Sequence, residues 1–310
     1  MGSGDAERDA GSDYTISNLA PLFLDWARYE MRRAPWTLIR YREALRTIVR
    51  LIGDVPVTQL HQGHLLRIRQ RLEERGCKEA RVAGLINALR SFLKFSREVL
   101  RIRALDYREV RVPRVPRRDV VYLTPGEVGM FLDAIIAPQE AVKKVPIERL
   151  RLRTFVEVLL GTGARLSEAL SLNRADVSFE RREARIIGKG NKERILYFTE
   201  RSLEWVERYL ARRDDDEEAL FVTHTDPARR LERTWFKNTF AAYRRKAGIQ
   251  KRVTPHILRH TMATTLLFNG CPIGHIKELL GHERLDTTCR YYLGLDRRAA
   301  KEAHGKFLVY

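Results

Sequence analysis

Cysteine and long apolar runs are scarce in this sequence, and each scarcity excludes a class of protein. The 310 residues contain three cysteines, Cys77, Cys271 and Cys289, too few for the disulfide framework of a small secreted domain. We interpret them as reduced thiols. No apolar run reaches the ~18 residues of a membrane span, and the N-terminus lacks the basic and apolar segments of a secretory signal. The sequence therefore predicts a cytoplasmic protein.

Metal-binding patterns are weak as well. Cys271, His275, His282 and Cys289 are zinc-type ligands that lie within 19 residues of one another. Their spacings match no common zinc module, and the chain has no Cys-x-x-Cys pair. We therefore expect neither a metal ion nor another cofactor.

Positive charge, by contrast, is abundant. Fifty-eight Lys and Arg residues stand against 40 Asp and Glu, which gives a net charge of +18. The charge is spread along the chain, with +12 in residues 14–121 and +9 in residues 122–310. A polyanion such as nucleic acid or an anionic membrane surface would be attracted to both halves. The alternative is a solvated basic surface, as in a ribosome-associated protein.

Hydrophobic periodicity predicts a helical N-terminal domain over residues 14–104, after a flexible acidic tail at 1–13. Four segments have apolar residues at helical spacing, and the third is expected to run from near Thr58 to Gly76. Its polar face is rich in arginine: Arg67, Arg69, Arg71 and Arg75. The apolar positions of the four segments are Leu19, Leu22, Phe23 and Trp26; Leu38, Tyr41, Leu45, Ile48 and Ile52; Leu65, Ile68 and Leu72; and Val82, Leu85, Leu89, Phe92 and Phe95.

A change of composition marks a linker over residues 105–121. Pro113 and Pro116 disfavour helix, and the arginines beside them keep the segment solvated or pressed against phosphate. These arginines include Arg114, Arg117 and Arg118.

A second domain begins at Tyr122. Thr124-Pro125-Gly126-Glu127 has an N-cap, a proline at the first helical position and a capping-box glutamate. Two apolar runs flank Gly188-Lys189-Gly190-Asn191, a pattern typical of a β-hairpin. Further helices are expected over 147–160, 166–172, 200–212 and 233–247.

Several basic and protic side chains stand where local structure would present them. His256 and Arg259 occupy the first turn of a helix that begins with Thr254 and Pro255. Cations are unfavourable at a helix N-terminus unless an anion binds there. Further candidates are Arg165 after a glycine-rich turn, Lys189 at the hairpin tip, His282 after Gly281, and the pair Tyr291 and Tyr292. Taken singly, each has a structural alternative: a surface cation, a C-capping histidine or core aromatics.

Four sequence blocks occur in a fixed order: TGARLSEAL, IIGKGNKER, HILRHTMAT and LLGHERLDTTCRYY. Individually GKG and GH are weak signals, but the ordered set resembles the tyrosine recombinases. This family includes phage integrases, Xer recombinases, integron integrases and related transposon enzymes. The resemblance covers nearly the whole chain and implies a mainly α fold. A four-helix, SAM-like core-binding domain (14–104) and a linker (105–121) would precede a mixed α/β catalytic domain (122–310) with a small antiparallel sheet.

The resemblance also implies roles for individual residues. The nucleophile of the family lies nine residues beyond the Gly-His histidine, which here is Tyr291. Tyr292 would point about 100° away on a helix. The implied catalytic residues are Arg165, Lys189, His256, Arg259, His282 and Tyr291, and the implied supporting residues are Glu168, Asp176 and His260.

These residue types suit attack by a phenol on a phosphodiester. Two guanidiniums can stabilise the negative charge that develops on the non-bridging oxygens. A tyrosine, whose ordinary pKa is about 10, needs a base or a positive environment, which His256 and Arg259 would provide. Lys189 would protonate the departing 5′ oxygen. The energy stays in a 3′-phosphotyrosyl bond, so no cofactor is required.

The expected function is therefore site-specific DNA recombination. Double-stranded DNA with a specific recombination site would lie between the two basic domains and be exchanged in a tetramer, formed by this chain alone or with a paralogous recombinase. The expected location is the cytoplasm, at the nucleoid. The alternatives are a type IB topoisomerase-like enzyme, a DNA-binding module without catalysis, and a basic scaffold protein. The candidate DNA-binding residues are Arg67, Arg69, Arg71, Arg75, Arg114, Arg117 and Arg118.

Overall fold

The structure is a computed structural model that describes residues 14–116, 120–187 and 193–281. Within these residues the chain is mainly helical, with one three-stranded antiparallel sheet. It divides into two compact units between Arg117 and Arg118, inside the segment that we expected to be a linker. The expected N-terminal tail, residues 1–13, lies outside the described residues.

The first unit is a helical bundle. Its helices are α1 (Ile16–Tyr29), α2 (Pro35–Ile52), α3 (Gln62–Glu74) and α4 (Glu79–Glu98), so each of the four periodic segments forms a helix. Our expected start of α3 near Thr58 is wrong. A 3-10 turn occupies Val57–Gln59, and His61 caps the helix, its Nδ1 accepting from the Gly63 N–H at 3.1 Å.

Aromatic residues join α1 to α4 within the largely aliphatic core of this unit. Phe23 on α1 packs edge to face on Phe92 of α4, with ring centroids 5.6 Å apart, and both side chains are fully buried. Trp26 stacks at a tilt on Phe95, with centroids 5.3 Å apart. Leu22, which we expected on the same face, is 53% exposed. It lies about 100° around the helix from Phe23, at the edge of the apolar stripe.

The second unit is built around one helix that is buried on every side. Its helices are α5 (Pro125–Ile135), α6 (Ile147–Thr162), α7 (Leu166–Ser171), α8 (Glu200–Leu210), α9 (Trp235–Lys246), α10 (Pro255–Phe268) and α11 (Ile273–Leu280). Every residue of α6 from Leu150 to Leu159 is buried, which is typical of a central helix. The expected capping box of α5 is confirmed: Thr124 N–H donates to Glu127 Oε2 at 2.8 Å, and Glu127 N–H to Thr124 Oγ1 at 3.2 Å.

The sheet contains the expected hairpin. Strands β2 (Glu183–Ile187) and β3 (Glu193–Tyr197) are antiparallel, with Ile187 opposite Glu193. The connection, residues 188–192, lies outside the described residues. A short strand β1 (Val177–Ser178) pairs with the outer side of β2. Its two residues are too few to give a periodic signal in the sequence.

Arginine side chains close the ends of several helices in this unit. Arg149 donates to the Ile135 carbonyl at 2.8 and 2.6 Å, and Arg153 donates to the Leu132 carbonyl at 2.8 Å, so α6 caps the last turn of α5. Arg230 does the same for α7, donating to the Leu170 carbonyl at 2.8 Å. Carbonyls at helix C-termini lack partners within the helix, and these guanidiniums supply them.

A left-handed glycine at the end of α6 allows the close approach on which the site depends. Gly163 has φ of 61°, a conformation that side chains rarely adopt. A Cβ at this position would lie 3.1 Å from the Met262 sulfur of α10. Glycine therefore permits both the turn and the contact between α6 and α10.

Candidate active site

The candidate site is formed where four secondary-structure elements of the second unit meet. Arg165 precedes α7, His256 and Arg259 lie in the first turns of α10, and Gly281 ends α11. The N-terminus of α10 has the expected cap: Ile257 N–H donates to Thr254 Oγ1 at 3.2 Å, and Pro255 is the first helical residue. The fourth element is β3, which contributes a residue that we had not predicted, Arg194.

Glu168 is the centre of this cluster. Its carboxylate is buried and lies 2.5 Å from Arg165 Nη1, 2.8 Å from Arg194 Nη1 and 4.0 Å from Arg259 Nη1. It also accepts from the Arg165 backbone N–H at 2.8 Å. Burial alone would raise the pKa of Glu168, but the charges of Arg194 and Arg165 and the Arg165 backbone N–H outweigh it and hold the pKa below its usual range. Glu168 is therefore a carboxylate anion at neutral pH, with three arginines around it.

The same three arginines converge on the C-terminal end of α11. Arg194 donates to the Leu279 carbonyl, Arg259 to the Leu280 carbonyl, and Arg165 to the Gly281 carbonyl, the last at 2.9 Å. These carbonyls are the unpaired acceptors of the helix end and carry its partial negative charge. Each guanidinium thus bridges Glu168 and one of three successive carbonyls.

Arg165 and Arg259 differ in exposure. The Arg259 side chain is only 5% exposed, and its Nη1 also donates to the Gly163 carbonyl at 2.5 Å. The Arg165 side chain is 38% exposed. Residues that are 94 positions apart in the sequence are therefore held side by side, with Arg165 the more accessible to an anion from solvent.

His256 and His260 form a pair one turn apart on α10. Their Nε2 atoms are 2.9 Å apart and their ring centroids are 4.2 Å apart. His256 is an exposed residue, but one edge of its ring packs against His260. This partial burial, followed by the charges of Arg259 and Arg165, lowers the pKa of His256 below its ordinary value of 6.5. The imidazole is neutral at pH 7 and can accept a proton.

Glycine is required at position 281 for two reasons. Its φ is 57°, and a Cβ would lie 2.7 Å from Cδ and 2.8 Å from Nε of Arg194. Gly281 thus lets Arg194 pass directly over the helix end. The other predicted catalytic residues, Lys189, His282 and Tyr291, lie outside the described residues, as does Tyr292.

Asp176 makes no contact with this cluster among the described residues, and its expected supporting role stays a prediction. It is exposed, and its Oδ2 accepts from the Asn173 N–H at 2.8 Å, closing the 3-10 turn Arg174–Asp176. A short acidic side chain three residues after its partner N–H is well placed for such a cap.

The predicted basic residues of α3 differ in their contacts within the protein. Arg67, Arg71 and Arg75 are exposed, as is Arg114, and Arg69 is half-buried. Arg69, however, donates to the Arg111 carbonyl at 2.5 Å, and Arg71 donates to the Leu51 carbonyl at the end of α2. These two arginines hold their own unit together, which periodicity alone does not reveal. Arg117 and Arg118 lie outside the described residues.

Sequence reasoning missed two features. A groove of about 530 Å³ between α2 and α4 carries polar side chains that include Arg40, Arg81 and Asn87. Arg194 was also missed, although alternation in β3 gives a signal. Arg194 and Leu196 are two residues apart and so share a face, and Leu196 is 1% exposed. That face is the core.

The described residues give no further site type. Within 14–116, 120–187 and 193–281, no three His, Cys, Asp or Glu side chains are grouped so that they could hold a metal ion. Over the same ranges no helix is long and apolar enough to cross a membrane. Cys77 and Cys271 are half-buried free thiols.

Comparison with known proteins identifies the family. A sequence profile of the phage integrase family matches residues 130–298. Tyrosine recombinase XerC of Proteus mirabilis is 30% identical over 288 residues, which is 91% of each chain. Tyrosine recombinase XerC of Vibrio cholerae serotype O1 is 32% identical over 270 residues, covering 84% of this chain and 83% of that one. These relatives favour recombination over a topoisomerase and over a binding module without catalysis.

Solved structures support the same fold. XerH site-specific recombinase bound to palindromic difH substrate superimposes with a TM-score of 0.72 at 19% identity, covering 93% of this chain and 84% of that one. The Tn1549 transposon integrase in complex with transposon right end DNA gives 0.74 at 18% identity, covering 95% and 100%. The chain belongs to the phage integrase family and is a tyrosine recombinase of the Xer type, an enzyme of site-specific DNA recombination.

Proposed function

We propose that this recombinase cuts and rejoins DNA through Tyr291. The phenol oxygen attacks the scissile phosphorus, the bond to the 5′ oxygen breaks, and a 3′-phosphotyrosyl bond forms. Attack of a second 5′ hydroxyl on that bond releases Tyr291 and restores the diester. The observation that carries this proposal is the pair of arginines, Arg165 and Arg259, fixed on one buried carboxylate beside the helix end that leads into His282.

The arginines stabilise the transition state. Phosphoryl transfer places added negative charge on the non-bridging oxygens, and donors that are fixed beforehand need no reorganisation when the charge develops. Glu168 and the Gly281 carbonyl hold Arg165, whose side chain is 38% exposed and can therefore approach a phosphate. Arg259, which is buried beside the same carboxylate, adds positive charge to the site. His282, next in the chain after Gly281, adds a hydrogen bond to the same phosphate.

Proton transfers need a base and an acid. His256 has a lowered pKa and is neutral at pH 7, so it accepts the phenolic proton as Tyr291 attacks. Lys189, on the connection between β2 and β3, gives a proton to the departing 5′ oxygen. Glu168 and His260 act on the arginines and on His256, not on DNA.

Double-stranded DNA with a recombination site is the substrate. Both halves of the chain are basic, and the solved XerH and Tn1549 integrase structures contain DNA. Residues 14–104 serve as the core-binding domain and 122–310 as the catalytic domain, joined by 105–121. The groove between α2 and α4 offers Arg40, Arg81 and Asn87, side chains that bind phosphates and base edges.

A tetramer is the active assembly. Exchange between two duplexes breaks four strands, and each protomer supplies one nucleophile. The tetramer contains this chain alone or this chain with a paralogous recombinase. It works in the cytoplasm, at the nucleoid.

The test uses a substrate that traps the covalent intermediate. Sites are first recovered from random duplex DNA by selection with the wild-type chain, then rebuilt with a nick close to the cleaved bond so that the short cleaved fragment diffuses away. Wild type and Tyr292→Phe should form a covalent protein–DNA adduct, whereas Tyr291→Phe should form none and should still bind DNA. An adduct with Tyr291→Phe and none with Tyr292→Phe would refute the assignment.

A further inference from the structure

Arg194 occupies an unusual place for an arginine in a small sheet. It lies on the core-facing side of β3, opposite Ile186 of β2, and its side chain is only 10% exposed. Burial lowers the pKa of its guanidinium, although the charge of Glu168 opposes this. Burying a charge costs free energy even when it is paired. Stability alone therefore does not explain a charged residue at this position.

The contacts of Arg194 join three parts of the site. Nη1 lies 2.8 Å from Glu168 Oε2, and Nη2 donates to the Leu279 carbonyl. Its Cδ and Nε cover Gly281, where no Cβ would fit. Nε is buried and has no hydrogen-bond partner among the described residues.

Arg194 and its contact Gly281 are both close in sequence to predicted catalytic residues. It follows Lys189 by five residues on the strand that leaves the hairpin connection, and Gly281 precedes His282 directly. Glu168, its ion-pair partner, also orients Arg165 at 2.5 Å. The buried side chain of Arg194 thus links β3, the carboxylate of Glu168 and the C-terminal end of α11.

We propose that Arg194 is a positioning residue for strand cleavage: it fixes the end of α11 against Glu168 and so holds Arg165 and Arg259 in place between Glu168 and the carbonyls of that helix end. This inference rests on the proposed function, because it assigns Arg194 to the same reaction. Arg194 touches neither DNA nor the nucleophile in this role. It acts through Glu168 and the Leu279 carbonyl.

Lysine cannot replace arginine here. A guanidinium reaches two acceptors at once with a planar fork, whereas an ammonium is a single point at the end of a flexible stem. Arg194→Lys keeps the charge beside Glu168 but gives up one of the two contacts. The substitution therefore separates geometry from charge.

The experiment compares the wild type with Arg194→Lys, Arg194→Met, Glu168→Gln and the double variant Arg194→Lys/Glu168→Gln. The substrate is the nicked duplex carrying a selected site. Single-turnover adduct formation is measured at saturating DNA, DNA affinity by gel shift, and folding by thermal unfolding, with rates taken at a temperature at which every variant is folded. Arg182→Lys is the matched control, since Arg182 lies in the turn directly before β2 and pairs with Glu200 on the surface at 2.6 Å.

Arg194→Lys and Arg194→Met should slow adduct formation on the order of tenfold or more, the cost of misplacing reacting groups. Affinity should change by less than about threefold, and Arg182→Lys should match the wild type. The double variant should be no slower than the slower single variant, because both residues act through one contact. Three results would overturn the proposal. The rate of Arg194→Lys could lie within about twofold of wild type, the rate defects of the two single variants could multiply in the double variant, or weaker DNA binding could account for the slower adduct formation. A wild type that forms no adduct overturns the proposed function itself, and the role of Arg194 with it.

Discussion

The Nε2 atoms of His256 and His260 lie 2.9 Å apart, one turn from each other on α10. A hydrogen bond between two imidazole nitrogens needs one N–H and one lone pair, so the two rings share a single proton at this contact. Protonating both nitrogens would break the bond. A second proton on the pair would therefore have to be held at an Nδ1 atom. The lowered pKa of His256 has a separate cause, its partial burial followed by the charges of Arg259 and Arg165.

This arrangement predicts the acid side of the pH profile. A protonated His256 cannot accept the phenolic proton, and its pKa lies below 6.5. The single-turnover rate of adduct formation should be level through neutral pH and fall only below 6.5. His256→Gln, which does not titrate, should be slow and should lack this fall. An acid limb centred above 6.5 in the wild type would exclude His256 as the base.

Glu168 should contribute to stability as well as to catalysis. Glu168→Gln leaves buried Arg194 and Arg259 without their anion, which costs about 3–5 kcal/mol for a buried pair. Because the folded-state pKa of Glu168 is lowered, its contribution is present above the ordinary value of 4.5 and is lost as pH falls through the folded-state value. Urea unfolding at neutral and acid pH measures both effects.

Glu200→Gln provides the comparison for that experiment, since Glu200 pairs with Arg182 at the surface. Exposed ion pairs contribute little to stability, so this variant should have the same urea unfolding midpoint as the wild type. Equal losses in Glu168→Gln and Glu200→Gln would argue against a central role for Glu168.

A methyl group at position 281 should damage the site. Gly281→Ala places a side chain at φ of 57° and pushes a Cβ into Arg194, so it should lower the melting temperature and slow adduct formation. Gly274→Ala is the matched control on the same helix, because a Cβ there meets nothing within 4 Å. Alanine is a better helix former than glycine, so Gly274→Ala should be neutral or stabilising. Thermal unfolding and adduct assays should rank the two in this order.

The groove between α2 and α4 predicts where the first unit meets DNA. Arg40→Ala and Arg81→Ala should weaken binding, and each should reduce the slope of log affinity against log salt by about 1. Arg46, on the side of α2 that faces α1, should tolerate alanine with the slope unchanged. DNA-binding titrations over a range of salt concentrations measure this slope. A larger effect of Arg46→Ala than of Arg40→Ala and Arg81→Ala would mean that DNA does not bind at the groove.

Local signals in the sequence predicted local structure well. Thr124 and Glu127 form the expected capping box, and β2 and β3 pair as the turn residues indicated. Contacts within the fold were harder to predict. The sequence did not indicate that Asp176 accepts from the Asn173 N–H or that Arg71 donates to the Leu51 carbonyl. The roles expected for these two residues stay predictions.

The cluster around Glu168 depends on long-range packing. Arg165 and Arg259 were paired in advance only through the family resemblance, since periodicity does not bring α7 and α10 together. The order of Leu279, Leu280 and Gly281 against three different arginines follows from where α11 ends relative to α6 and β3. No spacing rule in the sequence encodes that placement.

The arginines that cap helix ends bear on how this protein could be redesigned. Arg149, Arg153 and Arg230 satisfy carbonyls of α5 and α7 with their forks. Exchanging every arginine for lysine would keep the net charge of +18 and its long-range attraction for DNA, yet would remove these two-pronged contacts. Such a chain would still be attracted to a polyanion but would unfold at a lower temperature. The electrostatic field that attracts DNA and the hydrogen bonds that stabilise the fold can therefore be varied separately.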